Sequence, residues 1–175
     1  MSWKWKFGVF AVLICGFSVL MFMGHGATTQ APPIPDKVVD ANGDTVFTGE
    51  DILAGQAVFQ RYGLMDVGSL FGHGAYTGPD FTAQYLHEYA VYCLNQMAQK
   101  KFEKPYEKLD STQKAGLKSE FIKVVHQNRY DSNSNQLALT NLQAEAFGKL
   151  TDFYDKFFSE AKELPLPANY IKSKG

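Results

Sequence analysis

The chain has 175 residues, 45% of them hydrophobic and 14% aromatic, which is enough for one domain of ordinary size plus a short extra element. Its 17 basic and 18 acidic side chains are mixed along the chain and nearly cancel, so the basic footprint of a nucleic-acid binder is excluded. Cys15 and Cys93 lie in chemically different segments, and neither belongs to a C-x-x-C pair; a disulfide framework, a thiolate zinc site and covalent c-type heme all lack support.

The first element is an apolar run from Phe7 to Met23, broken only by Gly8, Cys15, Gly16 and Ser18. At about 1.5 Å per helical residue it approaches the hydrocarbon thickness of a bilayer. Lys4 and Lys6 precede it, and Trp3 and Trp5 suit the headgroup level, so the N-terminus is expected in the cytoplasm and everything after about Gly24 outside. A cleaved signal peptide is the rival, but its apolar core is usually shorter and Gly24-His25-Gly26-Ala27 is only a weak cleavage site. Residues 1–27 are therefore read as a single transmembrane anchor in the inner, cytoplasmic membrane, with the C-terminal domain on its outer, periplasmic side.

Thr28 to Pro35 contains Pro32, Pro33 and Pro35, which should prevent a helix and favour a stiff, extended spacer. Val38-Val39 and Thr45-Val46-Phe47 flank the turn-rich Asp40-Ala41-Asn42-Gly43-Asp44, which predicts a hairpin of minor structural weight. Residues 28–47 are thus expected as a proline-rich linker with a small hairpin, and residues 48–175 as the soluble domain.

Four helices are predicted in that domain. The first starts at the N-cap Thr48, carries Glu50 and Asp51 in its first turn and ends before Gly63, with Ile52, Val58, Phe59 and Tyr62 facing a core. Gly63, Gly68, Gly72, Gly74 and Gly78 then crowd a loop whose backbone must adopt unusual conformations or approach something closely. The second helix, Asp80 to Lys101, carries a stripe of Phe81, Tyr85, Tyr89, Tyr92 and Cys93. The third, about Ser111 to Gln127, turns Leu117, Phe121, Val124 and Val125 inward. The fourth follows the N-cap Thr140, carries Leu142, Ala146, Leu150, Phe153, Tyr154, Phe157 and Phe158, and is stopped by Pro165 and Pro167. The fold class is mainly α.

Machinery for catalysis is not visible. His25, His73, His87 and His126 have no pairwise spacing that would place two nitrogens on one metal, and His87 and His126 read as surface residues. Glu88 beside His87 and Asp51 beside Glu50 are neighbours that do not face one another on a helix, so they read as solvated charges. Gly72-His73-Gly74 is too short a signal for a nucleotide site. The aromatic stripes read as core, since Phe and Tyr must supply most of the burial here.

The stretch from Thr48 through Gly63-Leu64-Met65-Asp66-Val67-Gly68-Ser69, continuing in Gly72-His73-Gly74-Ala75-Tyr76 and Gly78-Pro79-Asp80, resembles the N-terminal region of the single-chain, quinol-dependent nitric oxide reductases. The similarity runs from about Pro32 to Phe158 and includes Asn128-Arg129-Tyr130. That region of the family is similar to the small cytochrome c subunit of two-subunit nitric oxide reductases, with the heme lost. Anchored on Gly74-Ala75-Tyr76, the C-x-x-C-H attachment motif falls on Leu64, Met65, Asp66, Val67 and Gly68, and no methionine follows Met97 to act as a distal ligand.

The resemblance implies a cytochrome c-like helical domain without heme and a non-catalytic accessory subunit or domain of a respiratory enzyme that reduces NO to N2O in denitrification. It implies a multi-spanning catalytic partner that uses quinol and holds a heme b, a second heme b with non-heme iron, and calcium, while this chain holds no cofactor. It further implies that Gly72, His73, Gly74, Ala75 and Tyr76 form the interface, with the Gly74 carbonyl and the Tyr76 hydroxyl at a calcium and heme-propionate junction. A glycine-rich turn that simply packs is an equal alternative for the same residues. In the family the chain continues into further membrane helices, so a separate subunit and a fragment of a longer chain both remain open. An independent membrane-anchored electron carrier or a free-standing binding module is the alternative function.

Overall fold

The computed structural model describes residues 3–29, 32–160 and 171. The chain divides into two compact units, residues 1–34 and 35–175.

In the first unit, α1 spans Trp3–Thr29, a helix of 27 residues that is long and apolar enough to cross a membrane. Its length is about 40 Å at the usual helical rise. No residue in it is buried by protein, and Phe7, Phe10, Ile14, Phe17, Leu20 and Phe22 are all exposed, the pattern of a helix apolar all round. The helix continues two residues past the expected start of the spacer. The Thr28 and Thr29 hydroxyls each donate to the His25 carbonyl at 2.9 Å, which satisfies backbone acceptors at the helix end.

The second unit is helical with a small sheet. Its elements are β1 (Lys37–Val39), β2 (Thr45–Thr48), α2 (Gly49–Arg61), β3 (Ser69–Leu70), β4 (His73–Gly74), α3 (Phe81–Phe102), α4 (Ser111–His126), β5 (Tyr130–Asp131), β6 (Gln136–Ala138) and α5 (Asn141–Glu160). The four predicted helices are present within a few residues of their expected bounds. Each begins at a side-chain cap of the predicted kind: Thr48 and Asp51 cap one another reciprocally, Asp110 and Gln113 do the same, and Thr140 pairs with Gln143. Removing the first of these, in Thr48→Ala, should lower stability by about 1 kcal/mol, read as a shift of the denaturation midpoint at unchanged slope.

The predicted β1–β2 hairpin forms, closed by the Asp40 carboxylate accepting from the amides of Asn42 and Asp44 at 2.8 and 2.9 Å. It is not minor decoration. It belongs to a four-stranded sheet of order β2-β1-β6-β5 in which β1 runs parallel to β6 and everything from α2 to α4 lies between those two strands in sequence. Val38, fully buried, sits at the centre of that sheet, and Phe47 stacks on Phe147 of α5 with centroids 4.6 Å apart. The sheet thereby closes the two ends of the helical array on each other.

Two apolar clusters make the core. One joins Leu94 and Ala98 of α3 to Leu109 and Leu117. The other joins Leu64, Val67 and Phe81, with Phe59, Tyr62, Leu70, Tyr154, Phe157, Phe158 and Ile171 packed against them. Val125, expected inside, is exposed: α4 has only α3 as a helical neighbour, and its inward stripe narrows to Leu117, Phe121 and Val124.

Candidate functional site

The glycine-rich stretch is an ordered structure built on the N-terminus of α3. Gly63, at φ +60, turns the chain out of α2 into a 3-10 turn over Leu64–Asp66. The chain then forms the two-stranded β3–β4 hairpin, with Ser69 opposite Gly74 and Leu70 opposite His73. Its tip is Phe71-Gly72, at φ +51 and +76. Positive φ at both central residues marks the type I′ turn that matches strand twist and favours Asn-Gly.

Asp80 holds this hairpin in place. Its carboxylate accepts from the Ser69 hydroxyl at 2.7 Å, from the Gly72 amide at 2.7 Å and, as the α3 N-cap, from the Ala83 amide at 2.9 Å. Next to it, the Phe71 amide donates to the Thr82 hydroxyl at 3.3 Å and the Ser69 amide to the Pro79 carbonyl at 3.1 Å. The hydrogen bonds to the carboxylate, the Ser69 hydroxyl first, hold the Asp80 carboxyl below its ordinary 3.8. The stabilisation is therefore complete above about pH 4 and is lost as pH falls through the depressed folded value. In an NMR titration the Gly72 and Ala83 amide shifts should move together with a midpoint below 3.8, and Asp80→Asn should abolish that shared step.

The glycines of the hairpin are needed within the domain. A Cβ on Gly74, at φ +142, would lie 2.4 Å from the Gly68 carbonyl oxygen, and one on Gly68 would meet the Phe81 ring at 2.5 Å. The Ala75 amide follows by donating to the carbonyls of Met65 and Gly68 at 2.8 and 3.0 Å. Close intramolecular packing thus accounts for Gly68 and Gly74 without any external ligand.

Of the five residues expected at the interface, Gly72, His73, Gly74 and Tyr76 are exposed and Ala75 is half-buried. Tyr76 is 92% exposed and Phe71 is 81% exposed, the largest values for big apolar side chains in the second unit. Sequence reading missed Phe71 and Asp80. The signal for Asp80 was its place directly after Gly78-Pro79 and before an apolar stripe, the pattern of an N-cap.

The five positions expected to correspond to a heme-attachment motif, Leu64 to Gly68, form the 3-10 turn and its exit. Leu64 and Val67 stand where thioether cysteines would be, and both are buried against Phe81. An 890 Å³ groove between α2 and α5 passes over the aromatic cluster, lined by residues such as Val58, Tyr85, Leu150, Tyr154 and Phe158, and no His, Cys or Met appears in its lining. These residues do not fit a covalently attached, axially ligated heme. Burial pushes the Cys93 thiol up to about 11, so at neutral pH it is a packed, protonated side chain. His87 and His126 are exposed, and among the described residues no group of three or more His, Cys, Asp or Glu could hold a metal ion. Gly74 and Tyr76 alone offer a carbonyl and a hydroxyl, too few oxygens for calcium without carboxylates from elsewhere.

No curated protein matches this sequence. Residues 35–175 match a protein family described as the cytochrome c-like domain of nitric oxide reductase, a span that takes in the β1–β2 hairpin as well as the helices. The match covers most of the chain and agrees with the resemblance carried by the Leu64–Asp80 stretch, and the chain belongs to this family, the cytochrome c-like part of nitric oxide reductase.

Proposed function

We propose that this chain is a heme-free, non-catalytic accessory part of a quinol-dependent nitric oxide reductase, anchored in the cytoplasmic membrane by α1 and docked on the outer face of the catalytic part. The family match over residues 35–175 carries the reading. The apolar α1, with Lys4 and Lys6 ahead of its apolar run, supports a membrane anchor with its N-terminus in the cytoplasm. Aliphatic Leu64 and Val67 at the expected thioether positions support a domain that folds around its own side chains.

On this reading, the two-electron reduction of two NO to N2O and water takes place on the partner, at a heme b and non-heme iron, with electrons from quinol through a second heme b. This chain covers the outer side of that site. Its Gly72–Tyr76 strand reaches the partner's surface, where the Gly74 carbonyl and Tyr76 hydroxyl add to a calcium site whose carboxylates come from the partner or the heme propionates.

The full chain, purified alone in detergent, tests the non-catalytic part. Expected are no visible heme band and no NO consumption when a quinol is supplied. A bound chromophore in the isolated chain would overturn the heme-free reading and favour an independent electron carrier.

A further inference from the structure

We propose that Phe71 and Tyr76 are the two anchoring side chains by which this domain grips the catalytic part of the reductase, with Asp80 as the residue that positions them; this rests on the docked-domain reading above.

The argument begins with the cost of Phe71. It occupies the first central position of a type I′ turn at φ +51, where a bulky side chain is disfavoured and Asn or Gly is the stable choice. Its ring gains no compensating burial, since it is 81% exposed. A strained backbone that displays an aromatic ring to solvent serves something outside the domain. Tyr76, 92% exposed, leaves the same hairpin just past β4. Exposed apolar side chains elsewhere in this unit, such as Leu53 at 52% and Leu86 at 57%, sit on ordinary helix surfaces.

The hairpin is also fixed before it meets a partner. Asp80 ties its first strand and its tip to the α3 N-terminus through Ser69 and Gly72, so little freedom is lost on docking. Rigid aromatic anchors on a preorganised support are the residue types that dominate protein interfaces.

Charge selects a protein over a lipid surface. No lysine or arginine occurs between Arg61 and Lys100, while Asp66, Asp80 and Glu88 do. Anionic headgroups would be repelled from such a face, and a peripheral lipid anchor normally carries basic residues beside its aromatics. A neutral or cationic protein surface is the complement. Since the chain belongs to a family of nitric oxide reductase parts, the occupant is the catalytic part itself.

The key variant is Phe71→Asn, which suits the turn better than the natural residue. In detergent-extracted complexes it should keep or raise the thermal midpoint of the domain, yet lower the amount of heme-b protein recovered with the chain at least tenfold. Tyr76→Ala should do the same at an unchanged midpoint, and Leu86→Ala should leave recovery intact. Hydrogen exchange at the 70–76 amides should slow at least tenfold in the complex relative to the chain alone. If the natural chain recovers the partner but Phe71→Asn and Tyr76→Ala recover it equally well, with 70–76 unprotected, the anchor assignment is wrong and the docked-domain reading stands. If the natural chain recovers no partner, the reading fails and the inference falls with it. Protection of 70–76 by anionic vesicles alone would assign the two rings to lipid and overturn the inference.

Discussion

Phe81→Ala should destabilise the soluble unit by about 3–5 kcal/mol, the usual cost of emptying a buried phenylalanine site. Phe81 is the first residue of α3 and only 7% exposed, and it is where three parts of the fold meet. Its ring stands edge-on to Phe59 of α2 at 6.1 Å and tilted against Phe158 of α5 at 5.8 Å, and it packs on Leu64 and Val67 of the glycine-rich stretch. Its carbonyl also accepts from the Tyr154 hydroxyl at 3.3 Å. Domains of this size have total stabilities of about 5–15 kcal/mol, so the loss is a large share of the whole. Chemical denaturation followed by circular dichroism reads it directly. Phe81→Leu, which keeps most of the volume, should cost less than about 1.5 kcal/mol, and equal losses for the two variants would contradict the packing account.

Gly74→Ala should cost about 3 kcal/mol or more, and the loss should concentrate in the hairpin. Two independent penalties combine there. The backbone sits at φ +142, which L side chains rarely adopt, and the new Cβ would lie 2.4 Å from the Gly68 carbonyl oxygen and 2.9 Å from the Ser69 Cα. Both obstacles are backbone, so no side-chain rotation relieves them. Gly72→Asn is the matching control. At φ +76 it has nothing within 4 Å of the added Cβ, and asparagine accepts left-handed backbone, so it should be nearly neutral. Amide exchange across residues 69–76 distinguishes the two: it accelerates in Gly74→Ala and stays as in the natural chain in Gly72→Asn.

The helices were legible because they carry their signals locally. Thr48, Asp80 and Thr140 stand before apolar stripes at helical spacing, and the side chains that start those stripes, Phe81 among them, are inside. The sheet was half legible. β1 and β2 flank a turn that announces itself, but β5 and β6 have two and three residues, too few to show a period, and the parallel pairing of β1 with β6 is a long-range fact that no window contains. Helix α1 outran the spacer expected from Thr28 because two threonine hydroxyls complete its last turn.

For the site, the glycines pointed to the right segment but not to its structure. Glycine density predicts close approach without saying to what, and here Gly68 and Gly74 approach one another's strands. Phe71 could not be found from sequence because its significance lies in a positive φ, which only the folded hairpin reveals.

The account's central claim is that this domain works as a docked part of a nitric oxide reductase, and the most direct measurement is mild detergent extraction of native membranes, capture through an antibody against the soluble unit, and an optical spectrum with mass spectrometry of what is recovered. The account predicts a many-spanning heme-b protein that consumes NO in the captured material. Capture of the chain without any heme-containing companion would contradict it.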